Sequence, residues 1–359
     1  MNQVMNSDGL ASKILSPKFD GKRFAIGKNP ETLQVHAVAP LAGIVDDSSG
    51  SSDRWQGIPL IGATELPPGC GVINCATSVA PVSAERRVRA AGVAVSLISF
   101  DCLQRAQPNS LRPPSFVCEM NADWEKNKEE WRKLRDTLAD EESKTVFDDI
   151  VQFRRTGSYA HMSAYRVRLH DQYFDDVCPL RSGEVFVDCG GFDGDTTEQL
   201  ARRCPQYNRV WLFEPSEVNM QKAKKRLAGA RDIHFVPKGV SDQIGRLSFN
   251  SGAGSASAVS DSGDASIDVT TIDKEIEETV SFIKMDLEGW ELKALAGARH
   301  HIERDHPRLA IAVYHHASDF WMIPEFILSI RSDYDVFLRH YTEGWSETVM
   351  YFVPKSGDK

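Results

Sequence analysis

The chain is 359 residues long, 41% hydrophobic and 26% charged, with a formal net charge of −9. That length points to two domains, and that composition to an ordinary soluble globular protein able to bury a normal core. The acidic balance argues against broad nucleic-acid binding, which needs a basic stripe; the densest cationic run, Lys222 to Arg226, reads as a solvated helix face.

Residues 1–20 read as a flexible N-terminus, without the apolar stretch a secretory signal requires. The apolar patch from Val35 to Val45 is broken by Pro40 and Gly43 and is too short to span a bilayer. Seven cysteines lie scattered with no C-x-x-C pair, so neither a zinc site nor a disulfide framework is expected, and the cytoplasm is the expected compartment.

From residue 21 to 118 short apolar runs alternate with turn signals, which predicts a small Rossmann-like α/β domain. Arg23–Gly27 reads as a strand entering a glycine turn, Leu41–Asp46 as a strand ending in an acid, and Gly71–Cys75 as a third strand. Gly50–Asp53 reads as an exposed loop. Ser83–Ala91 reads as a helix closed by Gly92, a residue that adopts a left-handed cap without steric penalty. Between 119 and 180 the residues Trp124, Trp131, Leu134, Leu138 and Phe147 recur at near-helical spacing among charges, predicting a helical connector.

From 181 to 359 strands and helices alternate, which predicts a mostly parallel, doubly wound sheet. The expected strands are 185–188, 209–214, 233–240, 282–286, 309–315, 334–339 and 348–353. Only residues 341–347 separate the last two, too few for a crossover helix, so a C-terminal antiparallel hairpin closes the sheet. Ser266–Asp273 reads as an extended strand running into a turn, after a Gly/Ser-rich loop at 251–262.

The most informative segment is Val185-Phe-Val-Asp-Cys-Gly-Gly-Phe-Asp-Gly-Asp-Thr196. A buried strand ends in Asp188, and Gly190, Gly191 and Gly194, with Phe192 among them, open the turn into a helix near Thr196. Such glycines let the backbone approach a ligand beyond the carboxyl ends of the strands. The segment does not match G-x-G-x-x-G. A carboxylate at its start repels a pyrophosphate but attracts the sulfonium or amino group of S-adenosylmethionine. Glu214 ends the next strand 26 residues on, where an acid can bind both ribose hydroxyls. Ser241 or Asp242, ending the third strand, is placed to reach the adenine amino group.

Phe-Val-Asp-Cys-Gly-Gly-Phe-Asp-Gly-Asp-Thr, Phe-Glu-Pro, Gly-Val-Ser-Asp and Phe-Ile-Lys-Met-Asp-Leu-Glu-Gly-Trp-Glu together resemble the FkbM family of methyltransferases, over about residues 184–353. The resemblance implies a class I methyltransferase-like fold, S-adenosylmethionine as cofactor and O-methylation of hydroxyls on sugars or polyketide-type natural products. The N-terminal region is similar to small nucleotide-binding-like α/β domains, although its first turn, Gly27-Lys-Asn-Pro-Glu31, lacks a glycine fingerprint.

Lys284, Asp286 and Glu288 crowd one strand end, where buried charge must be paired; a Lys284–Glu salt bridge with capping by Asp286 or Glu288 is the structural reading. The functional reading puts Asp286 at the rim where methyl group and acceptor meet, contacting cofactor and taking part in catalysis. Of the adjacent His315 and His316, His315 is expected to face the pocket and take a hydroxyl proton as a neutral imidazole. Glu288, His315 and His316 are the expected substrate contacts; a divalent-metal site from Asp286, Glu288, His315, His316 and Asp319 is the disfavoured option, and no metal is expected. The expected partner is a small-molecule acceptor, with neither nucleic acid nor membrane, and homo-oligomerisation is left open. A nicotinamide-dependent oxidoreductase and a non-catalytic nucleotide-binding sensor are the alternatives.

Overall fold

The computed structural model describes residues 7–47, 53–249 and 265–355. The chain divides into two units: 1–126 with 147–167 and 341–346, and 127–146 with 168–340 and 347–359.

In the first unit, helix α1 (Ser7–Leu15) precedes β1 (Arg23–Ile26), α2 (Pro30–Val38), β2 (Gly43–Val45), β3 (Arg54–Trp55), β4 (Ile58–Ile61), β5 (Gly71–Asn74), α3 (Pro81–Ala90), β6 (Ser96–Ser99) and α4 (Phe100–Ala106). The sheet order is β3-β4-β2-β1-β5-β6, parallel except for the β3–β4 hairpin. A parallel sheet must be covered on both faces. Along β1 the alternation is visible: Ala25 joins the cluster containing Ala11 and Ile14 of α1, while Phe24 and Ile26 join the one containing Ala84 and Val88 of α3. A flexible 1–20 is therefore corrected for 7–15, because Ala11 and Ile14 are fully buried. The Gly50–Asp53 loop lies outside the described residues except for Asp53.

The expected connector is helical, as α5 (Ser115–Lys126), α6 (Lys128–Thr137) and α7 (Glu141–Thr156). It does not form a body of its own. Residues 119–126 and 147–167 belong to the first unit; 127–146 and 168–180 belong to the second, where Trp131 packs 5.6 Å from Phe320.

The second unit continues with β7 (Val185–Cys189), α8 (Asp195–Arg203), β8 (Arg209–Phe213), α9 (Glu217–Arg226) and β9 (Ile233–Val236). Next come β10 (Gly239–Val240), β11 (Gly245–Phe249), β12 (Ala265–Thr270), α10 (Ile272–Glu275), β13 (Phe282–Met285), α11 (Glu291–Ala296) and α12 (Arg299–Asp305). The last elements are β14 (Arg308–Ala312), α13 (Asp319–Ile330), β15 (Tyr334–His340) and β16 (Thr348–Pro354). The large sheet runs β15-β16-β14-β13-β7-β8-β9, and β16 is antiparallel to both of its neighbours, as the short 341–347 connection requires.

Two strands fall short of their expected ranges by more than one residue. The run 233–240 splits, since Pro237 has no N–H to donate, and β10 enters a separate three-stranded sheet with β12 and β11. β14 stops at Ala312, after which the chain turns into α13, with His316 N–H donating to Asp319 Oδ2 at 2.8 Å. The 251–262 loop lies outside the described residues.

Candidate cofactor and acceptor site

The turn after β7 is built by its glycines. Gly190 has φ +80°, and a Cβ there would run into the carbonyl oxygen of Asp286; a Cβ on Gly191 would meet the Leu212 side chain at 2.5 Å. Gly194, φ +85°, is the residue from which α8 starts. Phe192 also has a positive φ, 44°, which a residue with a Cβ adopts only under constraint, and its ring is 50% exposed. Arg226 fastens the turn from α9 by pairing with Asp193 at 2.5 Å.

Asp188 does not stand on an open rim. It is fully buried, Lys284 Nζ lies 3.0 Å from its Oδ1, and Thr197 donates to its Oδ2 at 2.7 Å. The partner of Lys284 is thus Asp188, not a glutamate. Lys284 Nζ also donates to the carbonyls of Gly190 (2.8 Å) and Cys189 (3.3 Å), so one cation neutralises the acid and holds the turn. Burial pushes its ammonium down, but Asp188 and Asp286 outweigh that and raise it. Thr196 is buried and turns its hydroxyl to Asp195, while the hydroxyl that reaches Asp188 belongs to its neighbour Thr197.

Glu214, at the end of β8, meets the same turn. Its Oε2 accepts from Phe192 N–H at 3.0 Å and its Oε1 from Ser216 N–H at 2.7 Å, and burial raises its pKa. Ser216 in turn caps α9. Past β10, Ser241 is buried; its hydroxyl donates to Asp242 Oδ1 (3.1 Å) and accepts from Trp290 Nε1 (3.2 Å). Asp242 also pairs with Lys293 at 2.9 Å.

Beyond β13 and β14 lies a dense group of ionisable side chains. Asp286 accepts from Tyr173 at 2.6 Å and from Tyr314 at 3.4 Å. His315 Nε2 lies 3.4 Å from Asp286 and 3.5 Å from Glu288, and its Nδ1 lies 3.0 Å from Glu291. These are charge–charge contacts whose angles fall short of hydrogen bonds. Burial pushes the imidazole down, but Glu291, Asp286 and Glu288 push it up to about 9, so its surroundings favour the protonated ring at neutral pH. Burial lifts Glu288 to about 7 against the attraction of His315, and burial with Asp286 lifts Glu347 to about 7 despite the amide of Gln172 donating to it at 2.6 Å. Glu288 and Gly289 both have positive φ, 54° and 92°, in a turn closed against the His316 ring.

The structure therefore brings Asp286, Glu288 and His315 together and sets His316 behind Gly289. Helix α11 is capped by neither Asp286 nor Glu288: Glu291 accepts from Leu287 N–H at 2.6 Å. Asp286, Glu291 and His315 offer ligand atoms within 4.8 Å of one another, the one such grouping among the described residues. Sequence reasoning missed Tyr173, Gln172, Tyr314, Glu291 and Glu347. The 168–175 segment reads as connector, and nothing in its composition marks Tyr173 as the hydroxyl that orients Asp286. Glu347 reads in the sequence only as a hairpin residue, and only folding shows that it returns to Asp286, just beyond β13.

Residues 188–340 match the family model of the methyltransferase FkbM domain. Among solved structures, methyltransferase FkbM from Methylobacillus flagellatus KT is similar with 25% identity and a TM-score of 0.71, over 92% of this chain and 90% of that one. A putative rRNA-methylase from Clostridium thermocellum is 13% identical at TM-score 0.35, covering 49% of this chain and 89% of its own. A putative methyltransferase from Streptococcus mutans in complex with SAH is 16% identical at TM-score 0.31, covering 48% and 90%. No curated protein matches the chain.

Proposed function

Residues 188–340 are a methyltransferase FkbM domain, and from that premise we propose that the chain is an S-adenosylmethionine-dependent O-methyltransferase acting on a small hydroxylated molecule. Its large sheet has the class I methyltransferase fold. The observation that carries the reading is the side-chain-free turn at Gly190–Gly191 meeting the Glu214 carboxylate at the carboxyl edge of adjacent parallel strands.

The donor set suits the cofactor. Glu214 offers a carboxylate to the ribose diol; Ser241, Asp242 and Trp290 offer polar groups and a ring to the adenine; Asp286, with Glu288, supplies the negative charge that a sulfonium favours. Asp188 contributes by fixing the turn through Lys284, because its own charge is spent inside the sheet. When bound, the cofactor supplies a methyl group activated for attack by a nucleophilic oxygen.

The chain's own residues then do two things for the acceptor. Tyr173 and Tyr314 hold Asp286 in one orientation, and alignment of nucleophile with electrophile is the larger part of such catalysis. The hydroxyl proton passes to a carboxylate: Glu288 and Glu347 exchange protons near pH 7, as a general base should, whereas His315 keeps its proton and anchors the acids. His316 stands behind the Glu288–Gly289 turn as a further acceptor contact.

Calorimetry with S-adenosylhomocysteine should show one site per chain, weakened at least about tenfold by Glu214→Ala and lost in Gly190→Val. Tritium from labelled S-adenosylmethionine should then appear on an alcohol drawn from sugars and polyketide-type compounds. No binding by the intact protein sinks the proposal; binding without transfer to any acceptor favours the sensor reading. The nicotinamide reading revives only if NADH fluorescence rises on titration.

A further inference from the structure

The first unit holds a pocket of about 390 Å³, within the ~300–1,000 Å³ typical of small-ligand sites. Its position follows from topology. From β1 the chain moves to β2 and β4 on one side, then crosses to β5 and β6 on the other. Strand order therefore reverses beside β1, and a crevice opens at the carboxyl ends of β1 and β5, where open α/β sheets take their ligands. Gly27, φ +100°, forms the floor at this reversal; a Cβ there would sit 2.9 Å from Ala76 N.

The lining narrows the ligand. Asp46 follows β2, 19 residues after Gly27, where an acid reads ribose hydroxyls. Lys28 pairs with it at 2.6 Å, and Arg87 on α3 faces the pocket with no ion-pair partner among the described residues. A dinucleotide is excluded at the usual place. In register with G-x-G-x-x-G the second and third positions are Asn29 and Thr32. The Asn29 side chain caps α2 by accepting from Thr32 N–H at 3.0 Å, and Thr32 donates to Gly27 O at 2.7 Å. The helix end that would hold a pyrophosphate is thus filled by the chain itself, with Glu31 in its first turn. What remains is Asp46 for a diol, with the second lining acid, Asp47, occupied by Ala63 N–H at 2.7 Å, then two cations for one phosphate and an apolar wall from Val45, Ala84 and Val88 for a ring.

We propose that this pocket binds a ribonucleoside 5′-phosphate, with the ribose on Asp46 and the phosphate on Lys28 and Arg87, independently of the methyl-transfer site. The test is calorimetry of the full chain with AMP, GMP, CMP and UMP, their 2′-deoxy counterparts and the bare nucleosides. At least one ribonucleotide should bind one per chain, its 2′-deoxy form at least about tenfold more weakly. Asp46→Asn should impose a similar loss on the ribonucleotide and little on the deoxy form. Arg87→Ala, at an exposed helix position that leaves folding intact, should weaken both, while Glu214→Ala should change neither. No binding by any nucleotide overturns the proposal, as does binding lost with Glu214→Ala but retained in Asp46→Asn. A nucleoside binding as tightly as its phosphate overturns the assignment of Lys28 and Arg87.

Discussion

Asp188 and Lys284 are register partners on β7 and β13, both almost fully withdrawn from water. Removing one of two buried, paired charges strands the other, at about 3–5 kcal/mol, whereas replacing both is far milder. Lys284→Met should therefore destabilise the chain by about that amount in urea, and Asp188→Asn with Lys284→Met should recover most of it. The raised ammonium keeps its stabilising charge throughout neutral pH and loses it only as pH climbs through a value above its ordinary one. Glu288 behaves oppositely. Held at about 7, it retains a proton that the unfolded chain releases near 4.5, so its ionisation between those values costs stability. The same ionisation creates a base. Methyl transfer should rise with pH through about 7, and Glu288→Gln should flatten that limb in a pH–rate profile. At this scale the positions of the glycines, Glu214, Asp286 and His315 at strand ends were legible, since each stands out by its type and its place after a strand. The charge of His315 was not, because it depends on the acids that folding gathers around the ring. The partner of Asp188 was not, because only register decides that Lys284 lies opposite it.

Among elements, legibility followed the strength of the local signal. The terminal hairpin could be read from a connection too short for a helix, and α9 from Ser216, whose side chain accepts from Asn219 N–H. The strand at 233–240 could not, because its apolar run continues past Pro237, where the ladder stops. Helix α1 carries no such signal: nine residues with four polar side chains, four apolar ones and a glycine look like a loose tail until Ile14 finds its place on the sheet. Since Ile14 is fully buried, Ile14→Ala should cost about 2–5 kcal/mol, seen as a lowered midpoint of thermal unfolding in the first unit.

For the molecule as a whole, acidity and topology set the outline. A net charge of −9 suits small-molecule chemistry better than a polyanionic partner, and no helix among the described residues is long and apolar enough to cross a membrane. The likeness to the Methylobacillus flagellatus structure extends over 92% of the chain, so the first unit is part of the shared architecture and not an appendage to the second. Division at 118 and 180 was a natural reading of composition, which changes there. The units are instead interleaved in sequence, with boundaries after 126, 146, 167, 340 and 346. An interleaved chain of this kind has no seam that a protease could open with one nick. Any single cut leaves at least one unit in two covalent pieces, so a fragment ending at 126 forfeits the 147–167 and 341–346 segments of its own unit, and one starting at 127 keeps every segment of the second unit only by carrying those two orphaned pieces of the first.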